Sequence, residues 1–91
     1  MAFTTVASDN TAGGQTLLAA DATRSAVLIA NTDANTLYIL ISAGSGTVSS
    51  TNYSWAIASN GQFQLPDGLA TELIKGIWAA NGSGSALITY K

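Results

Sequence analysis

Leu37-Tyr-Ile-Leu-Ile41 decides the fold. In an extended strand Leu37, Ile39 and Ile41 share one side while Tyr38 and Leu40 point to the other, because strand side chains repeat every two residues. Both sides are apolar, so this strand is expected to be covered on both faces. The same alternation recurs further along the chain. Tyr53, Trp55 and Ile57 stand against Ser54, Ala56 and Ala58, and Phe63 and Leu65 alternate with Gln62 and Gln64. These read as antiparallel strands with one half-exposed face. Ile74, Gly76 and Trp78 oppose Leu73, Lys75 and Ile77, and Leu87 and Thr89 oppose Ala86, Ile88 and Tyr90. Gly76 in mid-strand predicts a bulge or a close backbone approach.

Turn chemistry punctuates these runs at Asn10 to Gly14, Asn31 to Asn35, Gly44 to Gly46, Asn60-Gly61, Pro66-Asp-Gly68 and Asn81 to Gly84. Short strands separated this regularly are the mark of an all-β sandwich or barrel. No segment reads as a helix. The expected architecture is a small antiparallel β-sandwich, barrel-like in its alternative form, over residues 21–91. Residues 1–20 are richer in Thr, Ala and Gly and form an extended N-terminal arm or edge strands, with weak strand candidates at Phe3 to Ala7 and Gln15 to Ala19.

The chain has 91 residues, 47% hydrophobic and only 9% charged, with a net charge of -2 and neither His nor Cys. This is room for one domain. Without imidazole or thiol, imidazole acid/base chemistry, zinc sites built from thiolates and imidazoles, thiol nucleophiles and disulfides are excluded. Three scattered cations, Arg24, Lys75 and Lys91, make no phosphate-neutralising patch, so no nucleic-acid partner is expected. The apolar runs are far shorter than the roughly 20 residues of a membrane-spanning helix, and the N-terminus lacks secretory-signal features. Synthesis in the cytoplasm without membrane insertion is the expectation. Charge-poor outer faces of Ala, Ser, Thr and Asn desolvate cheaply against another subunit, whereas Lys and Glu resist burial.

The catalytic constellations are thin. A serine nucleophile lacks a histidine base and a Gly-x-Ser-x-Gly elbow. Asp67 lies in a turn and makes a poor partner for Glu72 in glycoside chemistry. Asp33-Ala-Asn35 resembles the opening of a calcium loop but lacks the later Gly and Glu, and reads better as a hairpin turn. Gly44-Ser-Gly46 and Gly82-Ser-Gly84 lack the context of a phosphate loop. No enzyme activity, cofactor or metal is expected. Trp55 and Trp78 are core or subunit-interface residues, with a sugar-stacking platform as the alternative. Arg24 pairs with an acid, reaches across an interface or is solvated.

The chain resembles a group of small β-rich virion proteins of tailed bacteriophages. The resemblance runs from Arg24 to the C-terminus, on Arg24-Ser-Ala-Val-Leu-Ile-Ala-Asn-Thr32, Ala34-Asn-Thr-Leu-Tyr-Ile-Leu-Ile41, Thr51-Asn-Tyr-Ser54, Phe63-Gln-Leu-Pro66 and the stretch Ile74 to Thr89. It departs from that pattern in ending Tyr90-Lys91, where an acidic residue often follows the threonine. The resemblance implies a non-enzymatic capsid decoration, or cement, protein on the outer surface of the virion. Its partners would be the major capsid protein and copies of itself, a homotrimer being the natural arrangement. A tail, neck or fibre component with receptor loops at Asn31 to Asn35 and Asn81 to Gly84, or a carbohydrate-binding module, are the alternatives. The expected packing residues are Val27, Ile29, Leu37, Ile39, Trp55, Ile57, Ile77, Trp78 and Ile88. The expected interface or arm residues are Ala2, Phe3, Thr4, Thr5, Val6 and Arg24.

Overall fold

A computed structural model describes residues 1–42 and 47–91; Gly44-Ser-Gly46 lies outside them. The described chain forms strands β1 (Ala2–Ala7), β2 (Gln15–Leu18), β3 (Val27–Asn31), β4 (Leu37–Ser42), β5 (Trp55–Ile57), β6 (Gln62–Gln64), β7 (Leu73–Trp78) and β8 (Ser85–Tyr90). A single turn of 3-10 helix, Asp67–Leu69, follows Pro66. All strand pairs are antiparallel, in two four-stranded sheets: a front sheet ordered β1-β8-β3-β6 and a back sheet ordered β2-β7-β4-β5. The fold is therefore a β-sandwich. Its pairs nest, β4 with β5, β3 with β6, β2 with β7 and β1 with β8, and successive pairs lie in alternate sheets. This is a long hairpin rolled into two layers, the jelly-roll order. The two separate sheets replace the barrel-like alternative.

Residues 1–20 are edge strands and not a free arm. β1 pairs with β8 from Ala2↔Tyr90 to Ala7↔Ser85, and β2 pairs with β7, so the N-terminal segment supplies one edge to each sheet. Asn31 to Asn35 is likewise not a hairpin turn. It carries the chain from β3 in the front sheet to β4 in the back sheet, strands that do not pair with each other.

The core is made by the inward rows of both sheets. Val27, Ile29 and Ile88 from the front meet Leu37, Ile39, Ile57, Ile74 and Trp78 from the back, all essentially without solvent exposure. Leu17, Leu18, Leu65, Ala70 and Ala86 complete the cluster. Gly76 belongs to this layer as a close approach. A Cβ there would stand 2.7 Å from Leu17 Cδ1 and 3.1 Å from Leu37 Cδ1, while the β4–β7 ladder runs unbroken past it from Leu37↔Trp78 to Ser42↔Leu73. The bulge lies instead in β2, between Thr16 and Leu18.

Two expected packing residues sit elsewhere. Trp55 is half exposed because β5 is an edge strand; its ring stacks on Phe63 of β6 at 4.8 Å and 16°, bridging the edges of the two sheets. Ile77 is half-buried on the outer side of the back sheet, the side that alternation opposes to Trp78.

The two outer faces differ. Residues 47–54 lie over the back sheet, with Val48 fully buried and Tyr53 packed on Tyr38 at 4.9 Å between ring centroids. Gly14, at φ 73°, lets the chain pass beneath Val48, whose Cγ1 occupies the space a Cβ would need. The front sheet has no such cover among the described residues. It follows that Gly76→Val, which forces atoms into the space of Leu17 and Leu37, should lower stability by about 1–3 kcal/mol. A urea titration should show this as a reduced midpoint with an unchanged slope.

Candidate interaction surface

The polar groups most suggestive of chemistry turn out to be structural. Asn31, the last residue of β3, is buried and faces inward. Its Oδ1 accepts from Trp78 Nε1 at 3.1 Å and from the Asp33 N–H at 3.1 Å. Its Nδ2 donates to the carbonyls of Asn35 at 2.9 Å, Ile57 at 3.0 Å and Ala58 at 3.3 Å. The indole N–H can only donate, so it fixes which end of the carboxamide is oxygen.

Asp33 is buried beside it and its carboxylate is fully engaged. Oδ2 takes the Asn35 N–H at 3.0 Å and Asn35 Nδ2 at 2.9 Å, while Oδ1 takes the Gly84 N–H at 2.8 Å. A Cβ on Gly82 or Gly84 would collide with Asp33. Burial works to raise the Asp33 pKa, but the hydrogen bonds from Gly84, Asn35 and Ser8 outweigh it and hold the group below its ordinary 3.8. Asp9 and Asp21 are also held low, each first by the hydroxyl and then by the backbone N–H of the threonine two residues on. The structure thus joins the segments Asn31–Asn35 and Asn81–Gly84 at one end of the sandwich. It does so by turning their acidic group inward, where it serves as a clasp. Among the described residues there is no cluster of three or more metal-ligating side chains.

Arg24 is engaged within its own chain. It is buried, and its guanidinium donates to three main-chain carbonyls: Nε to Ala70 at 2.7 Å, Nη1 to Ala19 at 2.9 Å and Nη2 to Glu72 at 2.8 Å. A planar fork of donors can hold three divergent carbonyls where an ammonium cannot. It fastens the end of β2 to the segment between the 3-10 turn and β7. Asp67 opens that 3-10 turn, exposed to solvent.

What remains is the outer face of the front sheet. The registers align two outward rows across it, Phe3-Thr89-Leu28-Gln64 and Thr5-Leu87-Ala30-Gln62. Neither row carries a charge, and neither does any other residue of β1, β3, β6 or β8. Phe3 is 80% exposed, Leu87 45% and Leu28 37%. A shallow groove lined by Met1, Leu28, Gln64, Thr89, Tyr90 and, as its charged member, Lys91 continues this face toward the chain ends. Of the expected interface residues, Phe3 and Thr5 are on this face, whereas Thr4 and Val6 point into the sandwich by alternation, with Val6 packed on the core. Apolar side chains concentrated on one sheet face that is charge-free and uncovered among the described residues make it the candidate interaction surface.

Comparison with family models, with curated proteins and with solved structures returns no match.

Two outcomes follow from the buried polar groups. Arg24→Met strands three carbonyls and should destabilise the fold by about 3 kcal/mol or more, with Arg24→Lys recovering only part, as chemical denaturation would measure. For Asp33, a folded pKa below the unfolded value means that its stabilisation is complete above the ordinary carboxylate range and is lost as pH falls through the lowered folded value. Asp33→Asn should therefore melt at a lower temperature than the parent at pH 7, and the gap should narrow on acidification below pH 4. A gap that stays constant with pH would show that the charge on Asp33 contributes nothing.

Proposed function

We propose that this chain is a capsid decoration protein of a tailed bacteriophage, which docks many copies of itself on the outer shell and reinforces contacts between major capsid subunits. The observation that carries this reading is the uncovered, charge-free outer face of the front sheet, with Phe3, Leu28 and Leu87 at its surface. Docking such a face removes apolar area from water and strips hydration only from hydroxyl and amide groups, which find new partners readily. No ion has to be desolvated. A jelly roll is compatible with this role, but the same order serves capsid proteins, lectins and cupins, so the argument rests on the face and on the resemblance of Arg24 to Thr89 to small virion proteins.

The mechanism is linkage. A protein that binds the assembled lattice and not its separated subunits shifts the equilibrium toward the intact shell by mass action. Repetition over the lattice adds avidity to contacts that are each modest. No catalytic residue takes part. Trp55 supports a carbohydrate-binding reading only weakly. It is half exposed, yet its ring is already stacked on Phe63.

The test is to measure the copy number of this chain against the major capsid protein in purified particles, and then to bind purified chain to particles stripped of it. A ratio approaching one is expected, together with a higher temperature of particle disruption when the chain is bound. Leu87→Lys, outward and half exposed, should weaken binding about tenfold or more, an effect of roughly 1.4 kcal/mol, without lowering the melting temperature of the free protein. A ratio of a few per cent would move the protein to the tail or neck.

A further inference from the structure

A two-sheet sandwich has four edge strands, and three of these are closed to further pairing. β5 and β6 are three residues each, and Pro66, which has no N–H, stands shortly after β6. β2 is four residues and broken by its bulge. Short strands, bulges and prolines are the usual means by which sandwiches avoid joining edge to edge. β1 has none of them. It is six residues long, Ala2-Phe-Thr-Thr-Val-Ala7, without charge, proline or bulge, in unbroken register with β8. Among the described residues no strand lies on its other side.

The directions of its backbone groups can be read from two hydrogen bonds. The Ser8 N–H donates to the Gly84 carbonyl at 3.0 Å, on the β8 side. Backbone groups alternate in direction along an antiparallel strand, so Thr4 and Val6 also turn toward β8 while Phe3, Thr5 and Ala7 turn outward. The second bond agrees: the Ala7 carbonyl accepts from Gln15 Nε2 at 3.0 Å, and so faces away from β8. With that carbonyl occupied, the N–H and C=O of Phe3 and of Thr5 form the open part of the edge.

We infer that β1 is a self-association edge, on which a second copy of this chain adds its own β1 antiparallel about a twofold axis through Thr4. This register sets Phe3 of each copy opposite Thr5 of the other and satisfies the N–H and C=O of both residues in reciprocal pairs. It leaves the Gln15 bond to Ala7 intact. A twofold through Thr5 would instead require that carbonyl, and a twofold through Phe3 would set Phe3 opposite its own copy and leave Thr5 to pair with the terminal Met1. Phe3 and Thr5 both point to the outer side of the sheet, so each Phe3 ring packs across the junction on a threonine. A strand without charge meets its own copy with no like-charge repulsion, and a twofold contact requires such self-complementarity. The product is one eight-stranded sheet with both uncovered front faces on the same side. Pairing of two short edges buries well under the roughly 1,600 Å² of a standard interface, so the dimer forms reversibly and with rising concentration. The inference holds whether or not the capsid reading does.

The experiment is sedimentation equilibrium over a concentration series, paired with amide exchange by NMR. The mass should rise from the 9.2 kDa of one chain toward twice that value. Over the same range the Phe3 and Thr5 amides should slow by about tenfold or more, while the Thr4 and Val6 amides, bonded to β8, are slow throughout. Thr5→Pro removes an outward N–H and nothing inward, so it should abolish the dimer and leave the melting temperature nearly unchanged. Thr4→Pro removes a bond to β8 and should lower the melting temperature. A chain that stays monomeric at millimolar concentration, a trimer, or a dimer that keeps Phe3 and Thr5 fast or survives Thr5→Pro would each overturn the inference.

Discussion

The carboxamide of Asn31 is the constraint on which the rest of the sandwich depends. A jelly roll must cross repeatedly between sheets, and each crossing leaves backbone groups that no ladder satisfies. At the β3–β4 crossing a single side chain answers for several of them. Asn31 reaches from the front sheet to carbonyls at the start of β4 and the end of β5, and anchors the indole of Trp78 on β7. Asp33 extends the clasp to the Gly84 N–H just before β8. Five strands are registered by one polar cluster, in surroundings where an unmade hydrogen bond is costly and a made one is strong. Arg24 does the same at another site, between the end of β2 and the start of β7.

Only 9% of the residues are charged, Arg24 and Asp33 among them are buried, and the charge that remains lies off the front sheet. Lys75 is on the back sheet, and the other charged residues are in connections or at the C-terminus. The two sheets then diverge because one connection is long. Residues 47–54 lie over Tyr38 and Ile77, covering part of the back sheet with the chain's own atoms. Among the described residues nothing covers the front sheet in the same way. Its apolar outer rows and the open edge of β1 belong to one continuous surface, which is why the capsid-docking and self-association readings are compatible rather than competing.

Much of this was legible in the residues. Alternation over Leu37 to Ile41 and Leu73 to Trp78 identified strands but not the side of each that faces the core, because both faces of these two strands carry apolar residues. Val27, Ile29, Leu37, Ile39, Ile57, Trp78 and Ile88 could be picked as core as apolar members of such strands. Trp55 could not be separated from them. It alternates as they do, and only its position on an edge strand leaves it half exposed. Ile77 misled for the complementary reason, being an apolar residue on an outer face that a distant loop half covers.

The sequence by itself determined the all-β class, the strand positions and the poverty of catalytic and metal-binding chemistry, since these follow from local periodicity and from which side chains are present. Tertiary structure alone decided the strand order, the roles of Arg24, Asn31 and Asp33, and the grouping of four charge-free strands into one sheet. Their sequences are uncharged one by one, but nothing local brings β1 beside β8 across some 80 residues of chain. That proximity is a property of the closed fold, in which non-local pairing must overcome the entropy of closing long loops before any shared face exists.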